Sequence, residues 1–504
     1  MTPTDRRGML RASAGTLVAG LVAAHPARAQ SAAPATSAAP SAAPSASPGA
    51  VAAKGAPPAP VTRLVARYAA TATVQQIPEA VRKEATRTLL NWVGCAVGGS
   101  QQDAPTRAVA ALQMFSGPPQ AGLMGRRERL DVMNAALING ISSHVLDYDD
   151  THLKTIIHPA GPVASALTAF AEHRPVSGAE FMNALVIGCE IECRMGNAVF
   201  PEHYAKGWHI TGTAGVFGAA AAMGRLLRLD EERMISALGI AASQPVGLKV
   251  QFGSDTKSFH PGKAAQNGLQ AALLAEQGFT ASKVALEGFD GWAQAASTRH
   301  NWDEVIQGLG ERYEIGLNTY KPFACGIVAH PAIDAAIQLR EAHRIQAAQV
   351  QSVSLKAHPL VLNLMGKTSP AVGLEGKFSI YHAVAVALAT GRGGEQAFSD
   401  KAVQDPTVVA LRQRVQVAVD PTIQTDQVDM TVTLMDGQKL HLFIEHAVGS
   451  QLHPMSDAQL EGKFNGLTED ILPQAQSRQL MGVCWDAWQL KDAGDINRAA
   501  AARA

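Results

Sequence analysis

The sequence has no excess of either charge and few aromatic residues. Its 504 residues include 43 Lys and Arg against 43 Asp and Glu, and only 5% are Phe, Trp or Tyr. A chain without a basic excess lacks the electrostatic means of holding nucleic acid or an anionic membrane surface, so neither partner is expected. Hydrophobic residues still make up 47% of the chain, which is enough for a large core and two domains.

Cysteine is also scarce and irregularly spaced. An odd number of cysteines spread over a long chain excludes a disulfide framework. Cys189 and Cys193 are four residues apart but have no two further ligands nearby, so a zinc or iron–sulfur site is not expected. We predict small, reduced core residues at all five positions, which are Cys95, Cys189, Cys193, Cys325 and Cys484.

The first sixty residues have the composition of a targeting signal and a linker. The pair RR at 6–7 precedes an uncharged run at 12–24, and ARA at 27–29 is a small-x-small cleavage signal. Residues 1–30 are therefore predicted to be a signal peptide of the twin-arginine type, which would place the mature protein in the periplasm without a membrane span. Residues 31–60 are rich in Ala, Pro and Ser without apolar periodicity, which is typical of a disordered linker.

The apolar pattern divides the rest of the chain into three segments. Residues 61–316 have apolar residues at three- and four-residue spacing, which predicts mostly helices. In residues 317–450 the stretches VQSVSLKA, VQVAVD and MTVTLMDGQKLHLFIEH alternate apolar and polar residues. Asp436-Gly437 in the last stretch is a hairpin signal, so this segment is predicted to be α+β. Helical spacing returns in residues 451–504, with Ser456 as a predicted N-cap.

Four stretches concentrate ionisable groups. The first is HVLDYDDTHLKTIIHP at 144–159, which begins in a run predicted to be helical through Asp150 and ends just before the next helix. The second is EHYAKGWHITGTAG at 202–215, the third is QFGSDTKSFHPGKAAQNG at 251–268, and the fourth is NTYKPFACGIVAHPAIDAA at 318–336. Taken one at a time, such stretches are also compatible with a solvated turn or a hydrogen-bonded core histidine.

No familiar metal or nucleotide motif accompanies these stretches. The sequence has no His-x₃-His spacing for zinc, no phosphate-cradling loop beside the acidic residues, no Rossmann glycine fingerprint and no G-x-S-x-G elbow. We therefore predict neither a metal nor an organic cofactor. Lysines and imidazoles around a few acids remain, which is typical of proton transfer on a carboxylate-rich substrate.

Five motifs occur here in the same order as in a known family. The chain resembles the MmgE/PrpD family, which includes 2-methylcitrate dehydratase, cis-aconitate decarboxylase and iminodisuccinate epimerase. The motifs are NGISSHVLDYDDTH, HPAGPVASALTAFAE, KGWHITGTAG, TKSFHPGKAAQNG and KPFACGIVAHPAIDA, and the resemblance extends over residues 62–490. It implies a mainly α fold, in which an all-helical domain built from residues 61–316 and 451–504 carries an inserted, smaller α+β lid domain at 317–450. It also implies a homodimer.

The resemblance further implies a site between the two domains that works without metal or cofactor. Lysines there would bind substrate carboxylates, a histidine would move a proton, and Asp147 would orient a histidine or act as a base. The implied catalytic residues are Asp147, Thr151, His158, His209 and Tyr381, and the implied substrate-binding residues are Lys257, His260 and Lys321.

The predicted activity is the removal of water from a small di- or tricarboxylate, as in 2-methylcitrate dehydratase. Decarboxylation or epimerisation within the same family is one alternative, and a non-catalytic periplasmic carboxylate-binding protein is another. The chain has Gly326 where decarboxylases have a histidine five residues after Lys321, which argues against decarboxylation. The loop HLKTII at 152–157 is also one residue longer than in the decarboxylase pattern.

Overall fold

Helices make up most of the chain in the computed structural model, which describes residues 59–502. The predicted signal peptide at 1–30 and nearly all of the predicted linker at 31–60 lie outside the described residues. Within residues 59–502, no helix combines the length and the apolar character needed to cross a membrane. The predicted mainly α fold with a small sheet region is confirmed, whereas the division into a helical domain and a lid stays a prediction.

Helices dominate the first part of the described chain. They are α1 (Val61–Thr71), α2 (Glu79–Gly99), α3 (Asp103–Leu112), α4 (Val132–Val145), α5 (Ala160–His173), α6 (Gly178–Val199), α7 (Glu202–Ala205), α8 (Ile210–Leu226), α9 (Glu231–Ala241), α10 (Asp255–Glu276), α11 (Trp292–Ala296) and α12 (Asp303–Ile306). The later helices are α13 (His330–His343), α14 (Leu360–Met365), α15 (Gly373–Gly376), α16 (Ile380–Thr390), α17 (Asp400–Gln404), α18 (Pro406–Arg412), α19 (Asp457–Thr468), α20 (Gln474–Trp485) and α21 (Gly494–Ala500).

Strands form two short ladders and one sheet in the described residues. In the ladders, β1 (Ala121–Gly122) pairs with β2 (Arg129–Leu130), and β3 (Thr151–His152) pairs with β4 (Asn318–Thr319). The β3–β4 ladder joins the first polar stretch to the fourth. The sheet has the order β6-β5-β7-β8 and consists of β5 (Val350–Ala357), β6 (Val415–Val419), β7 (Val428–Leu434) and β8 (Lys439–Ile444).

One parallel and two antiparallel pairs make up this sheet. β6 runs parallel to β5, whereas β7 runs antiparallel to both β5 and β8. The β7–β8 hairpin turns at Asp436-Gly437, as predicted, and Gly437 adopts a φ of 87° that favours glycine. Alternate residues of β7 are buried, which agrees with the alternation in its sequence.

The helices that carry the candidate site cross at glycine contacts. α10 packs against both α4 and α8. At the α4–α10 crossing, a Cβ on Gly140 would collide with the backbone of Gly262, and a Cβ on Gly262 would collide with the carbonyl oxygen of Leu137. Because only glycine lets the two backbones approach this closely, the crossing brings the first turns of α10, with Lys257 and His260, next to the end of α4.

The C-terminal helices pack on the first helices of the chain. α19 starts after Ser456, whose side chain caps it as predicted, and it packs on α2 through Phe464 and Leu467. α21 packs on α5. The five cysteines are buried and free of disulfides, as expected of core residues. Residues 457–500 therefore contact helices that precede the sheet in sequence.

Candidate active site

The loop after α4 has a backbone that the sequence does not predict. The run at 136–150 has a helical pattern, but α4 ends at Val145 and Asp147 adopts a φ of 51°, in the left-handed region. That conformation is uncommon for residues other than glycine, and it turns the chain out of the helix. The prediction that this run is helical through Asp150 is therefore wrong, and Asp147 and Thr151 lie beyond the end of α4.

Three buried lysines from distant parts of the chain hold this loop. The carbonyl oxygens of residues 146, 147 and 148 accept hydrogen bonds from Lys377 (2.7 Å), Lys321 (2.9 Å) and Lys463 (2.6 Å), respectively. In a continuing helix these carbonyls would bond to backbone N–H groups four residues later, so the lysines replace the helical partners. Burial lowers the pKa of Lys463 to about 8.

Asp147 lies between two lysines that the sequence predicts to bind substrate. Its Oδ1 accepts a hydrogen bond from Lys257 Nζ at 2.5 Å and lies 3.2 Å from Lys321 Nζ. Burial alone would raise the pKa of Asp147, but the two ammonium groups outweigh burial and hold it well below its usual range. Burial also lowers the pKa of Lys257, although Asp147 opposes that change. The two lysines thus already surround one carboxylate, which belongs to the protein itself.

His158 is oriented so that one ring nitrogen is free for chemistry. Its Nδ1 lies 2.7 Å from the carbonyl oxygen of Asp150, which can only accept, so Nδ1 carries the proton and Nε2 keeps its lone pair in the neutral ring. Burial lowers the pKa of His158 to about 3, so the ring is neutral near pH 7. Thr151 lies behind the ring, with its Oγ1 3.4 Å from Nδ1, and its carbonyl accepts a hydrogen bond from Thr319.

A second carboxylate, which is not among the predicted site residues, lies against the histidines. Asp149 Oδ2 is 2.7 Å from His144 Nδ1, and Asp149 Oδ1 is 3.4 Å from His158 Nδ1. Burial would raise the pKa of Asp149, but the two nearby histidines and the hydrogen bond with His144 lower it. Asp149 thus contacts the histidines, whereas the resemblance implies for Asp147 the role of orienting a histidine or acting as a base. Its only signal in the sequence is its place in the same acidic run.

His209 and His260 form a pair of neutral imidazoles. Their Nδ1 atoms are 2.9 Å apart, so one ring donates and the other accepts. Burial lowers the pKa of both, that of His260 to about 4. His209 directly precedes α8, and its ring centroid lies 5.6 Å from that of His144 and 6.4 Å from that of His158. Four histidines from three of the polar stretches therefore meet here.

The clustered side chains also have spacing compatible with a metal ion. One ligand atom from each of His144, His158 and His209 lies within 4.8 Å of the others, and the same holds for Asp147, Asp149 and His158. The second set is unfavourable for a cation, because Asp147 is already paired with two ammonium groups. The first set has no such obstacle, so the expected metal-free site stays a prediction.

A cavity of about 30 Å³ lies among these groups, which is room for one or two water molecules and too little for an acid the size of citrate. Of the predicted residues, Thr151, His260 and Tyr381 do not line it. Thr151 and His260 lie behind His158 and His209, whereas Tyr381 is a partly buried residue of α16 that packs against the core. The lining consists of Asp147, Ile156, His158, Tyr204, His209, Phe252, Lys257, Lys321, Gly326, Ile327, Val328, Leu364, Met365 and Phe378.

The departure from the decarboxylase pattern lies at the wall of this cavity. Gly326 lines it, and a Cβ at this position would collide with Met365 Sδ. A histidine at residue 326 would therefore require Met365 to move. The wall here is shaped around glycine.

Comparisons with known proteins agree with the motifs. The family model of the MmgE/PrpD N-terminal domain matches residues 63–305, and that of the MmgE/PrpD C-terminal domain matches residues 323–487. Cis-aconitate decarboxylase from Aspergillus terreus is 25% identical over 449 residues, which cover 83% of this chain and 91% of that protein. Cis-aconitate decarboxylase from Homo sapiens is 25% identical over 445 residues, which cover 83% of this chain and 90% of that protein.

A dehydratase is among the relatives as well. The 2-methylcitrate dehydratase of Cupriavidus necator is 23% identical over 407 residues, which cover 72% of this chain and 81% of that protein. The two matched family domains together contain every residue that lines the cavity except Lys321, which lies between them. The chain therefore belongs to the MmgE/PrpD family.

Proposed function

We propose that this protein is a hydro-lyase that removes water from a small di- or tricarboxylate by acid–base catalysis, without a metal or an organic cofactor. One observation carries the proposal. Two lysines and two neutral histidines line one cavity, and the lysines already hold a carboxylate between them. A polycarboxylate needs such cations for binding, and its dehydration needs a base and an acid close together.

Substrate binding exchanges one carboxylate for another. Lys257 and Lys321 release the side chain of Asp147 and bind a carboxylate of the substrate, with charge-assisted hydrogen bonds that contribute roughly 1.5–3 kcal/mol each. The added negative charge raises the pKa of both His158 and His209, so the two rings can accept and return protons during turnover.

The free Nε2 of His158 then removes the proton from the carbon next to a lysine-bound carboxylate. The electron pair of that C–H bond forms the new C=C bond as the C–O bond of the hydroxyl breaks. The developing enolate-like charge is stabilised by the lysines, and the imidazolium of His158 is stabilised by Asp149. His209, which carries a second proton once the bound substrate has raised its pKa, donates its Nε2 proton to the departing hydroxyl, which leaves as water, and returns to the neutral ring paired with His260.

Decarboxylation is the second candidate, and the names of the Aspergillus terreus and human relatives favour it. The same cations would stabilise the carbanion-like charge that remains after loss of CO₂. Gly326 argues against it, because the chain lacks the histidine that the decarboxylase pattern has at this position.

Proton NMR in D₂O with EDTA tests the proposal directly. The purified protein is incubated with 2-methylcitrate, citrate, cis-aconitate, trans-aconitate and iminodisuccinate. We expect new vinyl signals from a citrate-like acid, and we expect EDTA to leave the rate unchanged. CO₂ release from cis-aconitate would favour the decarboxylase. Deuterium exchange without elimination would favour an epimerase, and stabilisation by an unchanged acid would favour the binding protein.

The proposal includes a homodimer located in the periplasm. Both expectations come from the sequence and the family resemblance. Light scattering on the purified protein is expected to give twice the mass of one chain, and cell fractionation is expected to find the protein with periplasmic markers. A monomer, or a protein that remains with cytoplasmic markers, would contradict the respective part.

A further inference from the structure

An outer cavity shares a wall with the cavity of about 30 Å³ that contains His158, His209, Lys257 and Lys321, which we call the catalytic cavity. It has a volume of about 230 Å³, much larger than the catalytic cavity. Ile156, Ile327 and Val328 line both spaces. The wall between the two cavities is therefore aliphatic, although the catalytic side of it faces lysines and histidines.

The backbone of this wall is strained at one position. Ile156 adopts a φ of 61°, and a β-branched residue is rarely found in the left-handed region. Backbone strain of this kind is concentrated at ligand sites and moving segments. Ile156 also belongs to the loop that is one residue longer than in the decarboxylase pattern, so the wall is a place where this chain differs from those relatives.

The outer cavity is suited to a hydrocarbon rather than to a charged group. Its lining includes apolar residues such as Phe200, Leu360 and Val448. Its ionisable residues have hydrogen-bond partners within the protein. These pairs are Lys154 with Glu304 at 2.8 Å, Asp426 with His446 at 2.9 Å, His330 with the carbonyl oxygen of Cys325 at 3.3 Å, and His358 Nδ1 with the backbone N–H of Leu360 at 3.1 Å.

Binding of any citrate-sized acid requires the catalytic cavity to expand. Three of its polar residues, Asp147, His209 and Lys257, lie on or beside α4, α8 and α10, which are fixed by the glycine contacts between these helices. The aliphatic wall instead belongs to the loop that contains Ile156 and to the short 3₁₀-helix Ile327–Ala329. This wall is therefore the part of the catalytic cavity that moves most easily, and when it moves the two cavities join.

We propose that the outer cavity is a subsite for an alkyl substituent, so that the preferred substrate is a di- or tricarboxylate with an unbranched hydrocarbon tail. The carboxylates bind Lys257 and Lys321, and the tail passes Ile156 and Val328. An apolar cavity of about 150 Å³ can hold benzene, so this one has room for a tail of roughly four to six carbons. The inference rests on the proposed function, because that function places the carboxylates.

Binding of unreactive analogues tests the subsite without relying on turnover. Propane-1,2,3-tricarboxylate and its 1-alkyl homologues from methyl to butyl carry the tail on a carbon next to the central one and lack the hydroxyl that dehydration requires. Isothermal titration calorimetry on the full chain gives a Kd for each. We expect each added methylene to tighten binding by about fourfold, the value for moving one methylene from water into an apolar site.

Two matched variants separate the subsite from other effects. Val448→Phe narrows the outer cavity, and Val419→Phe adds the same volume at an exposed position on β6. We expect Val448→Phe to abolish the dependence of Kd on chain length while leaving the Kd of the parent acid unchanged, and we expect Val419→Phe to behave like the original protein. Leu360→Phe repeats the test if Val448→Phe does not fold.

The outcomes distinguish the two levels of the proposal. If the parent acid binds and chain length has no effect, the subsite is refuted and the proposed function stands. If Val448→Phe raises the Kd of the parent acid by the same factor as the Kd of the butyl homologue, the outer cavity is an entry passage, and the subsite is again refuted. If no acid of the series binds, the assignment of the carboxylate site is wrong, and both the proposed function and the subsite are refuted.

Discussion

The tautomer of His158 decides which of its atoms can act in catalysis. The bond from Nδ1 to the carbonyl of Asp150 leaves Nε2 as the basic atom. His158→Gln retains an amide that can donate to that carbonyl but cannot take up a proton. We expect kcat to fall by about 10²- to 10⁴-fold, which is the usual contribution of a general base, while the Kd of propane-1,2,3-tricarboxylate stays unchanged. Steady-state kinetics and calorimetry measure the two quantities.

A buried histidine outside the cavity provides the control. His382 Nε2 donates to the carbonyl of Ala397 at 2.9 Å and does not line the catalytic cavity. We expect His382→Gln to retain kcat. An equal loss of kcat in both variants would show that His158 supports the structure rather than the reaction.

Two aspartates of one acidic run have different partners, so their replacement has different consequences. Asp149 contacts histidines, whereas Asp147 contacts lysines. Asp149→Asn removes the charge that stabilises the imidazolium of His158, and we expect kcat to fall about tenfold for each unit by which the pKa of His158 drops. Asp147→Asn removes the competitor for the lysines and is expected to change mainly the Kd of the acid. Identical effects of both variants on kcat and Kd would contradict this division.

The lowered pKa of Lys257 predicts an alkaline limit to activity. Burial favours the neutral amine, so Lys257 loses its charge at a lower pH than an exposed lysine does. The neutral amine binds a carboxylate poorly, and we therefore expect kcat/KM to fall as the pH rises towards 10. Lys257→Arg keeps its charge over this range, because a guanidinium is not deprotonated in proteins. Its pH profile is expected to lack the alkaline fall, and retention of that fall would assign it to another group.

At the scale of elements, the crossing of α4 and α10 determines the position of Lys257 and His260 relative to His144. Gly140→Ala places a methyl group against the backbone of Gly262, and we expect the free energy of unfolding to drop by about 1–3 kcal/mol, as for other overpacked cores. Thermal unfolding measures the change.

Gly466 in α19 provides the control, because it has open space at its Cβ and is exposed. Gly466→Ala is therefore expected to stabilise the protein by about 0.5–1 kcal/mol. A loss of stability in both variants would contradict the role of the crossing.

Elements with a strong local signal could be predicted from the sequence. The β7–β8 hairpin turns at Asp436-Gly437, and α19 starts after Ser456, because turn and cap residues act within a few positions of themselves. The end of α4 could not be predicted in this way. It depends on Lys321, Lys377 and Lys463, which lie more than 170 residues away in sequence and bind the loop carbonyls only in the folded chain.

The same distinction applies to the candidate site. His158, His209, Lys257 and Lys321 each stand in a conspicuous polar stretch, and all four line the cavity. The sequence could not show which of Asp147 and Asp149 contacts the histidines. That depends on a backbone turn at Asp147, and no glycine there predicts the turn. The resemblance places Tyr381 in the site, whereas in the structure this residue lies outside the cavity lining.

At the scale of the whole molecule, burial of many neutral histidines makes stability depend on pH. In the folded state their pKa values lie below the usual 6.5, whereas the unfolded chain takes up protons below that value. The free energy of unfolding therefore falls as the pH drops below 6.5. Asp150 and Glu190 act in the opposite direction, because burial raises the pKa of each to about 7. The buried histidines with lowered pKa are His144, His158, His203, His209, His260, His330 and His382.

The contribution of a single histidine to this pH dependence can be measured at His203, because it lies outside the catalytic cavity and has two neutral partners. Its Nδ1 donates to the carbonyl of Ala296 at 2.9 Å, its Nε2 accepts from Thr213 at 2.7 Å, and burial lowers its pKa to about 4. At pH 5 the unfolded imidazole is protonated and the folded one is not, which costs the folded state about 2 kcal/mol relative to pH 7.5. His203→Gln can keep both hydrogen bonds without titrating. Urea unfolding measures the free energy of unfolding at both pH values. We expect its decrease from pH 7.5 to pH 5 to be about 2 kcal/mol smaller in His203→Gln than in the original protein. His300→Gln, a change at an exposed position, is expected to show the same decrease in the free energy of unfolding as the original protein. If His203→Gln also showed that same decrease, His203 would already be protonated in the folded protein at pH 5.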